Sequence, residues 1–267
     1  LNNLEFTSIF NHILAFFTFG AKSKNMILKD KSKRIPAIVI EFVNLIVSMA
    51  GFVPKHASLL RVLTFGASLV FSFYLTANYA GHSTLGIIYF IAGEIFYLGF
   101  IFLVLSKNGL RHWFIKYWKS EQEGYLAFEA ILGIAFFHNA ASLSFLASAT
   151  PGHLFPFISR EILLIIVILM TAAGFIIKIW SARIVSIDIY YWKDMFLGRK
   201  ICEFVVTGPY KFLSNPMYGI GQLSAYSLAV WYQSEIGLAA AFINQCLVFT
   251  FYYTVEKKFI NRVYLKK

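Results

Sequence analysis

The chain reads as an all-α, polytopic integral membrane bundle of about six to seven membrane helices, closed by a C-terminal helical hairpin. Three observations predict it. Hydrophobic residues make up 58% of the 267 residues and charged residues only 14%, a composition unlike that of a soluble domain with a polar surface. Several apolar runs reach the roughly 20 residues that cross a bilayer core of about 30 Å. None shows the period-2 alternation of a barrel, so helices, which satisfy their own backbone hydrogen bonds, are the spanning element.

Each element follows from its local composition. Leu4 to Phe19 is short and aromatic and precedes the basic residues Lys22, Lys24, Lys29, Lys31, Lys33 and Arg34; it reads as an interfacial helix rather than a span. Pro36 opens an apolar segment to Val53 that is marginal in length. Ala57 to Ala77 and Leu85 to Ser106 are two full spans, separated by the turn-like Asn78 to Thr84. The connection Lys107 to Lys119 mixes Arg111, Trp113, Lys116 and Trp118, as at a headgroup boundary, and its charge places it on the cytoplasmic or equivalent side. Tyr125 to Ala149 is the next span. The Pro151 to Ser159 loop reverses the chain, and Glu161 to Trp180 is the most apolar helix. Ser181 to Ser214 alternates aromatic and charged residues, and Met217 to Tyr232 with Ile236 to Thr254 form the hairpin around Gln233 to Glu235.

The net charge of +11 sits mostly in the connections, where it is a topology signal; nucleic acid is excluded as a partner and membrane lipids are expected. With the Lys107 connection inside, the Ser181 to Ser214 segment and the C-terminus are also inside. The basic stretch before Pro36 then falls on the wrong side if all three following segments cross. Either the Pro36 segment does not span, or later helices force its orientation. Cys202 and Cys246 are far apart and outside any metal-ligand pattern, so neither a disulfide framework nor a metal site is expected. The chain opens at Leu1 rather than Met, which is compatible with a preceding or removed segment.

The densest cluster of polar and backbone-special residues is Val206 to Gly219, lying between two apolar segments. Asn215 before Pro216 is a helix-start signal, with Asn215 or Ser214 capping free N–H groups and Pro216 pre-organised for the first turn. A helix start at the basic interface favours an anion. Gly208 and Pro209 permit a tight turn, and Gly219 and Gly221 permit close approach. A tight interfacial loop leading into the hairpin accounts for the same residues.

Thr207-Gly208-Pro209-Tyr210, Ser214-Asn215-Pro216-Met217-Tyr218-Gly219 and Glu256 after one further helical pair together resemble the C-terminal signature of the phospholipid N-methyltransferases. These belong to the wider membrane methyltransferases that include the isoprenylcysteine carboxyl methyltransferases. Asn215 to Tyr218 is similar to the phosphatidylethanolamine branch, whereas the isoprenylcysteine branch has Arg-His-Pro. Asp194 to Gly198 is similar to the family's Asp-Tyr-Phe-type segment, and Ala172-Ala173-Gly174 falls where the family carries Gly-x-Gly. The resemblance covers Met170 to Lys267 and divides the chain into an interfacial and basic segment (1–36), N-terminal transmembrane helices (37–169) and a methyltransferase-like region (170–267).

The resemblance implies transfer of a methyl group from S-adenosylmethionine to the headgroup amine of a lipid of the phosphatidylethanolamine type. It implies cofactor binding by Ala172, Gly174, Gly208, Tyr210, Asn215, Pro216, Tyr218, Gly219 and Glu256. Two departures stand out: Ala172 replaces the first motif glycine, and Glu256-Lys257 replaces an acidic pair. If the enzyme is active, Tyr210 or Tyr218 meets the sulfonium by cation–π attraction, and Glu256 is the first candidate base for the lipid amine, with His138 second. The two departures also support a different reading, a catalytically inactive structural or lipid-binding subunit working with other membrane subunits. A sterol reductase is a weaker third. The membrane is that of the endoplasmic reticulum or mitochondrion in a eukaryote, and otherwise the inner membrane.

Four intramembrane polar residues also need an account. Glu94, Glu129, His138 and Asn139 lie within spans, where interhelical pairing, such as Glu94 with a polar group on the next helix, is favoured over catalysis. Arg61 and Lys178, near helix ends, are expected to snorkel. Tyr190 to Trp192 are expected to be interfacial anchors.

Overall fold

The computed structural model describes residues 31–265, with side chains from residue 39 onward. The expected helix Leu4 to Phe19, the basic residues Lys22, Lys24 and Lys29, and Lys266 and Lys267 lie outside the described residues. In chain order the helices are α1 (Lys31–Met49), α2 (Leu59–Asn78), α3 (Ser83–Leu105), α4 (Arg111–Tyr117), α5 (Glu121–Ala149), α6 (Arg160–Val185), the short α7 (Ile187–Tyr190) and α8 (Lys193–Leu197), α9 (Leu223–Trp231) and α10 (Glu235–Val263). Among the described residues there is no strand.

Five of these helices, α2, α3, α5, α6 and α10, are long and apolar enough to cross a membrane, and the chain is a multi-pass membrane protein. The marginal Pro36 segment and the expected hairpin helix Met217 to Tyr232 both form shorter helices. The apolar part of α1 is only Val39–Met49, and α9 has nine residues. Pro36 lies inside α1 rather than at its start.

Serine sets the start of four of the five long helices. The hydroxyls of Ser58, Ser120, Ser159 and Ser234 each accept a backbone N–H in the first turn of α2, α5, α6 and α10, satisfying one of the donors that a helix start leaves open.

Contacts between loops define two ends of the bundle. At one end the residue 150–155 loop meets the α9–α10 connection: the Gly152 N–H donates to the Tyr232 carbonyl (3.1 Å), the Phe155 N–H to Gln233 Oε1 (3.1 Å), and the Thr150 and Ser234 hydroxyls share a hydrogen bond of 2.7 Å. At the other, Lys55 pairs with Asp188 (2.8 Å), Tyr191 donates to the Ser48 carbonyl (2.7 Å), Arg111 donates to the Met195 carbonyl (3.0 Å) and Arg199 pairs with Glu121 (2.6 Å). The first end carries no lysine in its connections at 79–82, 150–159 and 232–234. The second gathers the Lys107 connection, residues 186–222 and the start of α2, as expected when basic loops stay on one side. The end of α1 also lies there, beside a cavity of about 340 Å³ shared with Ala182 to Ile187.

Small residues let the helices close. A Cβ on Gly133 of α5 would collide with the Gly51 carbonyl, and one on Gly93 would lie 2.6 Å from the Ser142 hydroxyl, the close backbone approach expected of helices packed in lipid. The core at the basic end is strongly aromatic. Phe100, Phe114, Phe128, Phe196 and Tyr125 stack or meet edge to face with ring centres 5.0–6.4 Å apart, at separations favourable for aromatic pairs.

Candidate functional site

The chain at the basic end is stitched before any site forms. Asp194 of α8 accepts the Met195 N–H (2.8 Å) and the Tyr264 hydroxyl (2.9 Å), so α8 is tied to the end of α10. Burial pushes the Asp194 carboxyl above the usual carboxylate range, against those two hydrogen bonds. Gly198 closes α8 with a positive φ of 72° and leaves room for Arg111. Gly208, also left-handed at φ 60°, has no space for a side chain because Ile184 and Trp180 of α6 fill it. These constraints press residues 208–211, a 3-10 turn, onto the last turns of α6.

The helix expected at Pro216 begins later. Pro216 to Gly219 form turns, a 3-10 turn follows at Ile220–Gln222, and the α-helix starts at Leu223 with no side-chain cap. The bonds across the turn differ in span: the Gly219 N–H reaches the Asn215 carbonyl four residues back (3.0 Å), as in an α-helix, while the Gly221 N–H reaches the Pro216 carbonyl five residues back (2.9 Å). Gly219 departs from helical geometry at φ −84°, ψ −106°, which breaks the register that Pro216 would otherwise start. Asn215 therefore contributes its carbonyl to the turn.

Two π turns converge on this place. α10 widens at Tyr252–Glu256 and α3 at Ile95–Gly99, a feature frequent at functional sites. The first carries Glu256, whose Oε2 accepts the Tyr218 hydroxyl at 2.9 Å. The second carries Tyr97, buried close to both Glu94 and Glu256. Trp192 borders the same carboxylate, and Tyr210 lies near it and near Ser181. Burial, then the neighbouring Glu256 carboxylate, raises the hydroxyls of Tyr218 and Tyr210 above the usual phenol value, so both remain protonated donors at neutral pH. The result is one carboxylate among aromatic rings, a combination that attracts a cation by charge and by ring quadrupole.

Residues 162–267 match the phospholipid methyltransferase family model. The chain is also 29% identical over 97 residues to the phosphatidylethanolamine N-methyltransferase of Kluyveromyces lactis, a match covering 36% of this chain and 11% of that protein. The chain thus corresponds to about a tenth of that relative's length. No solved structure matches it. The resemblance read from the Asn215 to Tyr218 turn and Glu256 agrees with that match, and the matched residues contain the cluster described above.

Within the matched residues, Glu256, Tyr218 and Tyr210 come together, with Asn215, Pro216 and Gly219 shaping the turn that delivers Tyr218. The two motif residues on α6 sit differently. A Cβ on Gly174 would lie 2.5 Å from the Ser224 nitrogen and 3.0 Å from the Gly221 carbonyl oxygen, so the chain's own turn fills that cradle. Ala172 is exposed, two residues away and so on nearly the opposite face of the helix. Lys257 is exposed with its ammonium 5.2 Å from the Tyr253 ring centre, making a cation–π contact rather than an ion pair with Glu256. His138 hydrogen-bonds Tyr89 (2.7 Å) and Ser68 (3.1 Å) through its two ring nitrogens, within the α2–α3–α5 part of the bundle.

Several residues matter that the sequence did not flag. Gln245 donates to the Tyr218 carbonyl (2.9 Å) and accepts from the Tyr226 hydroxyl (2.7 Å). Its neighbour Asn244 donates to Glu94 Oε1 (2.8 Å) and accepts from Gln222 (2.8 Å), and Asn139 also donates to Glu94 (2.8 Å). Adjacent amides on α10 thus hold the turn at Tyr218 and at Gln222. The expected pairing of Glu94 with the next helix is present. Arg61 does not snorkel; it pairs with Glu129 (2.8 Å), which also meets His56 (2.7 Å) and is 1% exposed. Lys178 likewise turns inward, to the Ser224 hydroxyl at 3.0 Å. Tyr191 and Trp192 are buried in the core rather than anchored at a surface, with Phe136 packed against both. A polar residue just outside a strongly apolar run carries the same local signal whether it faces in or out.

Proposed function

We propose that the chain is a membrane methyltransferase that transfers a methyl group from S-adenosylmethionine to the headgroup amine of a phospholipid of the phosphatidylethanolamine type. The observation that carries the reading is the Tyr218–Glu256 hydrogen bond, set among Tyr210, Trp192 and Tyr97 at the basic end of the bundle. It is supported by the family match over residues 162–267.

A carboxylate ringed by aromatic side chains fits a sulfonium cofactor in charge and chemistry, whereas Gly174 and Ala172 add nothing to its cradle. When bound, the cofactor supplies an electrophilic methyl group. The chain's residues have three tasks: Tyr210, Trp192 and Glu256 hold positive charge, the packed aromatic core excludes water, and Glu256 accepts the proton that the lipid ammonium must lose. Tyr218 fixes the carboxylate's orientation for that exchange. The acceptor approaches from the membrane, and membrane lipids are the partners of this reading. We also read α9 and α1 as the two shorter members of a seven-helix set, with α9 and α10 as the C-terminal hairpin.

Calorimetric titration of the purified protein with S-adenosylhomocysteine tests the proposal. Binding that falls at least tenfold in Glu256→Ala is expected; no binding by the intact protein would sink the enzyme reading. A second reading, a catalytically inactive structural or lipid-binding subunit of a membrane complex, is favoured by one observation, the filling of the Gly174 cradle by Gly221 and Ser224. Isolation as a stoichiometric component of a larger assembly, with no S-adenosylhomocysteine binding, is its signature.

A further inference from the structure

Lys178 is a cation in a membrane-spanning helix whose charge is not matched. Its ammonium has three N–H donors and one hydrogen-bond partner, the Ser224 hydroxyl at 3.0 Å. That hydroxyl already donates to the Gly221 carbonyl (3.0 Å), so it offers no more than a lone pair. Among the described residues, no carboxylate lies within ion-pair distance of Lys178. The side-chain stem is packed on Gly221, where a Cβ would lie 3.0 Å from Lys178 Cγ. Gly174, Lys178 and Ser181 fall at i, i+4 and i+7, one face of α6. Ser181 lies near the Tyr210 hydroxyl, yet its own hydroxyl is fully buried and has no hydrogen-bond partner of good geometry. One helix face therefore presents an uncompensated ammonium and an unsatisfied hydroxyl within two turns. Ionisable groups in a span mark a ligand path unless something pairs them.

We propose that Lys178 is a binding residue for an anionic oxygen group, either the carboxylate of an amino-acid cofactor or the phosphate of a phospholipid, seated against the Lys178–Ser181 face of α6 beside Ser224. Such a group completes the charge of the ammonium and gives the Ser181 hydroxyl an acceptor. Only the carboxylate case rests on the methyltransferase reading.

Two pairs of probes, each differing in the anionic group, test this on the full chain in detergent micelles. S-adenosylhomocysteine is compared with methylthioadenosine, which lacks the amino-acid end, and dihexanoyl phosphatidate with dihexanoylglycerol, which lacks the phosphate. The intact protein is expected to prefer the anionic member of one pair by at least tenfold, Lys178→Gln to lose that preference, and Lys178→Arg to keep most of it. The pair that responds names the source. A preference for phosphatidate without any S-adenosylhomocysteine binding upholds Lys178 while the enzyme reading fails. Tight S-adenosylhomocysteine binding with an undiminished preference in Lys178→Gln overturns Lys178 while the enzyme reading stands, and no preference in either pair also overturns it. Protection of Lys178 from an amine-acylating reagent by the preferred probe, read by mass spectrometry on the intact protein, decides the matter if the glutamine variant does not fold. Equal labelling with and without the probe counts against the proposal.

Discussion

The Tyr218 hydroxyl meets Glu256 Oε2 at 2.9 Å, joining the turn before α9 to the π turn of α10 across 38 residues of chain. The bond sits at the meeting of two irregular segments, so neither partner is positioned by a regular helix alone. Gln245, donating to the Tyr218 carbonyl, holds the other side of the same residue.

Tyr218→Phe removes the donor and leaves a carboxylate oxygen short of a partner, which costs about 1–3 kcal/mol. The expected outcome is a lower melting temperature in detergent together with weaker S-adenosylhomocysteine binding by calorimetry. An unchanged melting temperature and affinity would show that the hydrogen bond neither stabilises the turn nor orients Glu256.

Arg61→Met strands Glu129, which is 1% exposed and then loses the guanidinium while keeping its contact with His56. Breaking a buried pair from one side costs about 3–5 kcal/mol. Adding Glu129→Gln to that variant is expected to restore more than half of the loss, because no buried charge remains. Chemical denaturation of the single and double variants gives the comparison, and a double variant no more stable than the single one contradicts it.

Gly133→Ala drives a methyl group into the Gly51 carbonyl, a backbone atom that cannot rotate away. The forced separation of α5 from the residue 51 turn is expected to cost about 1–3 kcal/mol. Gly66→Ala is the control, since a Cβ there meets nothing within 4 Å. Equal melting temperatures for the two variants would argue against close backbone approach at Gly133.

Asp188 provides a pH dependence whose sign is set by its neighbours. Burial raises its carboxyl, but Lys55 and Lys193, at 2.8 and 3.2 Å, outweigh it and hold the group below its ordinary value of 3.8. The folded state thus binds that proton less readily than the unfolded chain, so the contribution is present above about pH 4 and is lost as pH falls through the folded-state value. Lys55 is half exposed, which limits the effect to about 0.5–1 kcal/mol. Asp188→Asn should reduce the drop in stability between pH 6 and pH 3, measured by thermal melting at fixed ionic strength.

Legibility differed between the fold and the site. Spans appear in the sequence because hydropathy over about 20 residues is a local property, whereas the caps at Ser58, Ser120, Ser159 and Ser234 emerge only in the structure. Asn215-Pro216 points correctly to a special turn, but the helix begins at Leu223 because Gly219 leaves helical geometry. Glu256 and Tyr218 were visible through the family resemblance. Gln245, Asn244 and Gln222 were not, since an amide in an apolar helix carries no sign of which neighbour it will meet.

What the sequence determined by itself was a helical membrane protein, the basic connections from Lys107 onward placed on one side, and a C-terminal region similar to the phospholipid methyltransferases. Those features rest on composition, charge and a short motif, each readable without knowing which helix lies beside which. The tertiary structure alone decided that Glu94 meets Asn244 from 150 residues away, that Arg61 and Lys178 turn inward, and that Gly174 is filled by Gly221 and Ser224. Such contacts depend on helix rotation and on the distance between packed backbones, and small changes in either move a side chain from lipid to core.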